Sequence, residues 1–482
     1  MVDFADDHQS SGLDLKGFLQ ESGSALLEID QPVSTKQDIT AFQHQMDKSE
    51  KYPVILIKKP VLPDGTISAF PLVCNLTASR ELVSKVLSLA DHREAAISLA
   101  AANTEGIAPT LLKRSEAAIA EVELTGDDID LTRLPATTQH IKDPGPYLTA
   151  AHATTYEPST RIDNTAIQRC WIKGPRQMSW YPYPSSHNAA NLRKWWDRGE
   201  PCPVAFWIGH HPSIVIGTQA KLKYPQSHWG AAGGLAGVSI PLTTSLCLGS
   251  EIKVPANAEI VIEGLARPGN VTADGPFGEY TGYSGPQIIA PLVDVVAITH
   301  RKNAIYHDYG SGLTDMLIPD NMSMEGKLYS IIKSVAPSLR NVHVPSSGRR
   351  FHAWLQLDNP GPGEARDALA AAMSYRRVKT AAVFDNDIDI FDERAVLWAI
   401  ATRVQWHRGT LRLDGLSTST LDPSLAAGEL TGSKLGIDAT LPRPQSNKMP
   451  RPVSPVATCD SEAMERANIL LASLDSYEWP VA

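Results

Sequence analysis

The stretch DGPFGEYTGY, residues 274–283, sets an acid at each end of a Gly-Pro-Phe-Gly turn, Asp274 and Glu279, and runs on into Gly282 and two tyrosines. Upstream, N-T-A-I-Q-R holds Asn164 and Arg169 five positions apart, and His187 follows in YPYPSSHN. A buried arginine beside two carboxylates can grip a substrate carboxylate and deliver a proton. The same residue types also build ordinary ion-pair networks, and spacing alone favours that plainer reading. On one continuous strand, moreover, Asn164 and Arg169 would point to opposite faces unless a bulge intervened. Trp180, Tyr181 and Tyr183 hint at a planar aromatic or heteroaromatic acid, although such residues more often pack.

Other signatures are missing. No G-x-S-x-G elbow, Walker loop or H-E-x-x-H occurs. GAAGGLAG (230–237) is no dinucleotide fingerprint and reads as a close-packed turn. His210 and His211 are adjacent, so a strand would turn them to opposite faces, as core or surface residues rather than paired ligands. The five cysteines are scattered and never form C-x-x-C, which disfavours a disulfide framework or a thiolate zinc site. The formal net charge is −9, which argues against a nucleic-acid groove. SYRRVK is too short for such a track and reads as a solvated face or a single anion contact. The acidic, polar start lacks a signal-peptide pattern, and no run approaches the ~18 apolar residues of a membrane span. The expectation is a reduced, soluble, cytoplasmic protein.

The elements that must position these residues fall into three blocks. With 482 residues, 43% of them hydrophobic, the length suits about three domains. Residues 13–120 alternate helix and strand: LDLKGFLQ as helix, TKQDITAFQHQMDKS as a helix with a threonine cap, and SRELVSKVLSLADHREAAISLAAA as one helix. Residues 125–147 are rich in turn formers and read as a boundary. Short β-like runs then continue to about 308, which suits a barrel or sandwich. Helix and strand alternate again from 309. An amphipathic helix, 461–474, follows a proline-rich stretch and reads as docking on a partner subunit or on its own domain. The expected limits are an N-terminal α/β domain over 1–124, a central domain over 125–308 and a C-terminal α/β domain over 309–482.

Together these positions resemble the UbiD family of prenylated-FMN-dependent decarboxylases, most strongly over 160–440. The carriers are Asn164 with Arg169, His187, VPANAEIVIEG (254–264), DGPFGEYTGY, DNDIDIFDERAVLWAIATRV (385–404) and GSKLGIDAT (432–440). The resemblance implies a central split β-barrel of flavin-reductase type holding prenylated FMN made by a flavin prenyltransferase. It implies homodimers or larger assemblies formed through the C-terminal domain. It implies reversible decarboxylation of an aromatic, heteroaromatic or α,β-unsaturated acid, with Arg169 on the carboxylate, Glu279 as proton donor and Asp274 orienting Arg169. Asn164, His187 and His228 would lie at the cofactor phosphate, where the family holds Mn²⁺ with K⁺ nearby. Two departures stand out. Asp274 replaces the usual glutamate. His228 stands where the family has a metal-binding glutamate, and no acid occurs from Lys221 to Ser250. Imidazole brings no negative charge and cannot bridge two cations. The competing readings are a flavin-binding protein of this fold without lyase activity, and a purely structural α/β oligomer. Intact Arg169 and Glu279 count against the first, and the density of motifs against the second.

Overall fold

The computed structural model describes residues 13–102, 106–426, 428–441 and 456–474. The chain divides into two compact units, Met1–Ala439 and Thr440–Ala482.

In the first unit a four-stranded sheet comes first. Leu26–Ser34 and Val54–Val61 run parallel, Leu72–Cys74 lies antiparallel to the second, and Tyr306–His307 adds in parallel to Leu72–Cys74. The unbroken apolar run Val54–Ile57 is buried throughout, as a strand covered on both faces should be. Helix Leu15–Ser22 starts where Asp14 accepts the Gly17 N–H at 2.8 Å. Helix Asp38–Lys48 differs from expectation: Gln37 at its N-cap makes no side-chain cap. The Thr35 hydroxyl instead donates to the Val61 carbonyl at 3.0 Å, so that threonine serves the sheet. The long helix expected after Ser79 is two, Arg80–Val86 and Ala95–Ala102, broken at Ser88 with φ 54°.

The central sheet is wholly antiparallel. Its path runs Tyr147–Leu148, Cys170–Gly174, Gln177–Ser179, Ile288–His300, Ile260–Asp274, Cys202–Ile208, His152–Tyr156, Asp163–Ile167, and Val122–Thr125 also pairs with Ile288–His300. Asp163–Ile167 closes one end of this path, whereas Cys170–Gly174 is second from the other. Only Gln168 and Arg169 join them, and two residues span no more than about 10 Å. The sheet must therefore curl until its ends nearly meet, which makes it a half-barrel with a seam at Arg169.

The C-terminal sheet has the order Leu339–His343, His352–Leu357, Thr380–Asp385, Thr431–Asp438, Thr410–Ser417, with its three middle strands parallel. Met324, Leu328 and Ile332 of helix Thr314–Lys333 share a buried cluster with Leu355, Leu369 and Val383. The fold is thus mixed α/β with a curled antiparallel centre. In the second unit, helix Ser461–Ala472 is capped by Asp460, and its Met464, Ile469, Leu470 and Leu471 are exposed.

Candidate active site

Arg169 emerges at the seam, off both strands, which resolves the problem of spacing: the chain leaves one strand after Ile167 and starts the next at Cys170. Asn164 and Arg169 both line one cleft of about 540 Å³. DGPFGEYTGY forms a hairpin in which Phe277–Gly278 pairs with Ser284–Gly285. Gly282, at φ 83°, donates its N–H to the Glu279 carbonyl at 2.9 Å. The hairpin brings both acids to one guanidinium. Arg169 Nε and Nη2 donate to Asp274 Oδ2 at 2.9 and 2.7 Å, and Nη1 donates to Glu279 Oε1. Ser179 donates to Asp274 Oδ1 at 2.6 Å, so the buried aspartate is held at both oxygens. The Tyr181 and Phe277 rings each lie 4.9 Å from the guanidinium carbon, within cation–π range.

The two acids sit in different surroundings. The Asp274 side chain is fully buried, whereas Glu279 keeps 14% of its surface toward the cleft. Burial raises the Glu279 carboxyl above its ordinary value, against the opposing pull of Arg169. Burial works against the Arg169 charge as well, yet Glu279 and Asp274 outweigh it and hold the guanidinium firmly protonated. The turn with an acid at each end therefore sets two carboxylates in unlike surroundings against one guanidinium at the cleft wall.

Asn164, His187 and His228 also line this cleft. Asn188 accepts from Asn164 Nδ2 at 2.6 Å and donates to Gln168, which fixes the Asn164 side chain. His187 opens helix His187–Asp197 behind a Ser186 cap. His228 opens helix His228–Ala236, so GAAGGLAG is largely helix and not a turn. Its glycine content does serve close packing, since a Cβ on Gly233 would meet the Ile107 and Val238 carbonyls at 2.8 Å. Asp163 holds that helix end, taking the Ser227 hydroxyl on Oδ1 and the His228 and Trp229 N–H groups on Oδ2. The His228 ring hydrogen-bonds Ala220, its Nδ1 has no partner among the described residues, and burial, His187 and Lys221 push its pKa down to about 3. Burial lowers that of His187 too.

A metal at this point would find a neutral amide and two neutral imidazoles. No group of three His, Cys, Asp or Glu side chains is arranged to hold a metal ion among the described residues. Asp163 is committed to the helix end. Asp320, the other nearby acid, is taken by Lys221 on Oδ1 and by Arg350 and Arg377 on Oδ2 at 3.0 and 2.5 Å. Burial alone would raise the Asp320 carboxyl, but those three cations hold it well below the usual range. Hard ions such as Mn²⁺ favour carboxylate and carbonyl oxygens, so the donors do not fit that ion. A flavin nucleotide does fit: the cleft has the volume of a cofactor site, aromatic walls and a cationic region.

Sequence reasoning missed Ser179, Asp163 and the cluster of Lys221, Asp320, Arg350 and Arg377. A partial signal existed in SYRRVK, whose Tyr375, Arg376 and Arg377 line the cleft. The aromatic trio divides. Trp180 is core, donating to Gln168 at 2.8 Å, whereas Tyr181 and Tyr183 face the cleft. His210 and His211 are buried and structural, and His211 caps helix Pro212–Gly217.

Models of three domains of 3-octaprenyl-4-hydroxybenzoate carboxy-lyase match the chain: the N-terminal domain at 19–101, the Rift-related domain at 110–313 and the C-terminal domain at 321–439. Among solved structures, the UbiD-class enzyme HmfF from Pelotomaculum thermopropionicum in complex with FMN is 31% identical. That match covers 91% of this chain and 96% of that one, with a TM-score of 0.83. An evolved dimeric form of HmfF in complex with prFMN is 29% identical over 93% of this chain and 98% of that one, with a TM-score of 0.80. Vanillic acid decarboxylase of Sedimentibacter hydroxybenzoicus in open form shares the fold at 24% identity, with 95% and 99% covered and a TM-score of 0.82. Curled central sheet, flanking α/β regions and domain matches along the chain agree: this protein belongs to the UbiD family of carboxy-lyases.

Proposed function

We propose that the protein decarboxylates, reversibly, an aromatic, heteroaromatic or α,β-unsaturated carboxylic acid with prenylated FMN in the cleft. The observation that carries this reading is Arg169 clamped between Asp274 and Glu279 on the cleft wall. Loss of CO₂ leaves an electron pair for which no side chain here is a sink, and the bound cofactor would supply one. Everything else falls to the chain. A guanidinium has five N–H donors; three are engaged by the two acids, and two are left for a substrate carboxylate. Tyr181 and Phe277 hold the guanidinium plane and keep water from its faces. Ser179 and Asp274 fix its orientation. A substrate carboxylate that draws Nη1 away from Glu279 removes the contact that lowers that carboxyl. Burial then acts with less opposition and favours the protonated carboxyl, which places Glu279 to deliver its proton to the carbon that lost CO₂. Asn164, His187 and His228 form part of the wall that receives the cofactor phosphate. Tyr181, Phe277 and Tyr280 in the lining support a planar substrate.

Expression with and without a flavin prenyltransferase tests the reading. The protein made with it is expected to carry prenylated FMN by absorbance and mass and to release CO₂ from an aromatic acid. Full turnover by cofactor-free protein would overturn the mechanism. Bound cofactor without turnover of any acid would point instead to a flavin-binding protein of this fold. We also propose that the chain forms homodimers or larger assemblies through its C-terminal region, where Leu397, Trp398 and Trp406 are exposed.

A further inference from the structure

Three cations converge on one carboxylate in the cleft wall. Asp320 Oδ1 accepts from Lys221, and Oδ2 from Arg350 at 3.0 Å and Arg377 at 2.5 Å. All four residues line the cleft. Arg350 is anchored further, with Nη2 donating to the Met316 carbonyl at 2.9 Å and its carbon 4.8 Å from the Tyr280 ring. Among the described residues, Lys221 is anchored by Asp320 alone. An ammonium has three N–H donors, so two remain for a ligand. The group carries two positive charges more than negative ones, and buried charge left unmatched is costly. The surplus suits a phosphate monoester, whose charge near neutral pH is about −1.5 to −2.

Position points the same way. Lys221 follows Ala220, whose carbonyl bonds the His228 ring, so the ammonium shares its stretch of wall with His228, His187 and Asn164. These three are uncharged donors, and the nearby acids are spent on the helix end and on the cation cluster. Where relatives in this family are expected to place a divalent ion between protein and phosphate, this stretch of wall offers a lysine and, among the described residues, acids already engaged in the helix end and the cation cluster.

We propose that Lys221, backed by Arg350 and Arg377, binds the flavin phosphate directly, with no divalent metal between them. The inference rests on the flavin reading above, and the test separates the two. FMN and riboflavin, which lacks the phosphate, are titrated into the apoprotein by flavin fluorescence, in EDTA and in Mn²⁺, for the wild type and Lys221→Ala. Wild-type affinity for FMN is expected to be the same in EDTA and Mn²⁺, and the FMN-loaded protein to hold no stoichiometric divalent metal by elemental analysis. Lys221→Ala leaves Asp320 two arginine partners and is expected to fold. It should weaken FMN about tenfold to a hundredfold, as for a lost charge-assisted hydrogen bond, and leave riboflavin unchanged. FMN binding that needs Mn²⁺, or that Lys221→Ala does not alter, overturns the inference while the flavin reading stands. Unchanged FMN binding with an altered KM for the acid would assign Lys221 to the substrate instead. Failure of both flavins to bind in every condition overturns the inference and the flavin reading together.

Discussion

Arg169 pairs with two carboxylates at once, and their different surroundings suit them to the different work proposed for them. Asp274 is sealed in and held by Ser179, so it suits orientation. Glu279 touches the cleft, and burial raises its carboxyl, so it suits proton delivery. Glu279→Gln keeps the shape and removes the proton; steady-state turnover should fall by about 10²–10⁴-fold, with matching loss of solvent deuterium exchange into the product. Near wild-type exchange would mean another group supplies the proton. Arg169→Ala should also raise KM, because the grip on the carboxylate goes with it. Asp274→Asn should cost less than either, about tenfold, because an amide oxygen still accepts from Nε. The pH dependence has a definite sign. A raised carboxyl stays protonated to higher pH, so activity depends on its acid form and falls as pH rises through that raised value. In a pH–rate profile this limb should disappear in Glu279→Gln.

The hairpin and the seam explain how these side chains meet, and why the sequence disclosed only part of that. Arg169 and Glu279 stand 110 positions apart, and no period links them; what joins them is the curl of the half-barrel. The glycines of the hairpin were readable as a turn. Less readable was why Gly278 must be glycine: a Cβ there would lie 2.3 Å from His140 Nδ1. Gly278→Ala should cost about 1–3 kcal/mol by crowding and shift the neighbouring Glu279, seen as a lower Tm together with lower kcat. Adding His140→Ala should recover part of both, and a purely additive double mutant would show that the two do not press on each other. The α/β blocks, the β-rich centre and the turn of the hairpin were legible because hydrophobic period and turn chemistry are local, whereas the roles of its two acids came only with the family resemblance. The Lys221–Asp320 pair, 99 positions apart, was not legible, because a single lysine in a loop and a single aspartate within helix Thr314–Lys333 carry no shared pattern until topology brings them together. Thr35 shows the same limit on a small scale, since its hydroxyl joined the sheet instead of the helix.

At the scale of the whole molecule, exposed apolar side chains on the C-terminal region call for cover. Leu397 is 65%, Trp398 42% and Trp406 57% exposed, which makes them candidates for burial between subunits. Leu397→Asp should shift the assembly toward monomer in light scattering, with the Arg169 site unchanged; an unaltered mass would place the interface elsewhere. A different consequence follows from the strand Tyr306–His307, which completes the N-terminal sheet beside Leu72–Cys74. On the ribosome the first three strands of that sheet emerge early, but their fourth comes only after the entire half-barrel. At roughly 5–20 residues per second, the edge Leu72–Cys74, wholly buried in the finished protein, waits on the order of ten seconds or more for its neighbour. An open apolar edge is a template for stray pairing. A fragment ending before Tyr306 should therefore aggregate, and the N-terminal region is not a module that matures first but one that the later chain has to close.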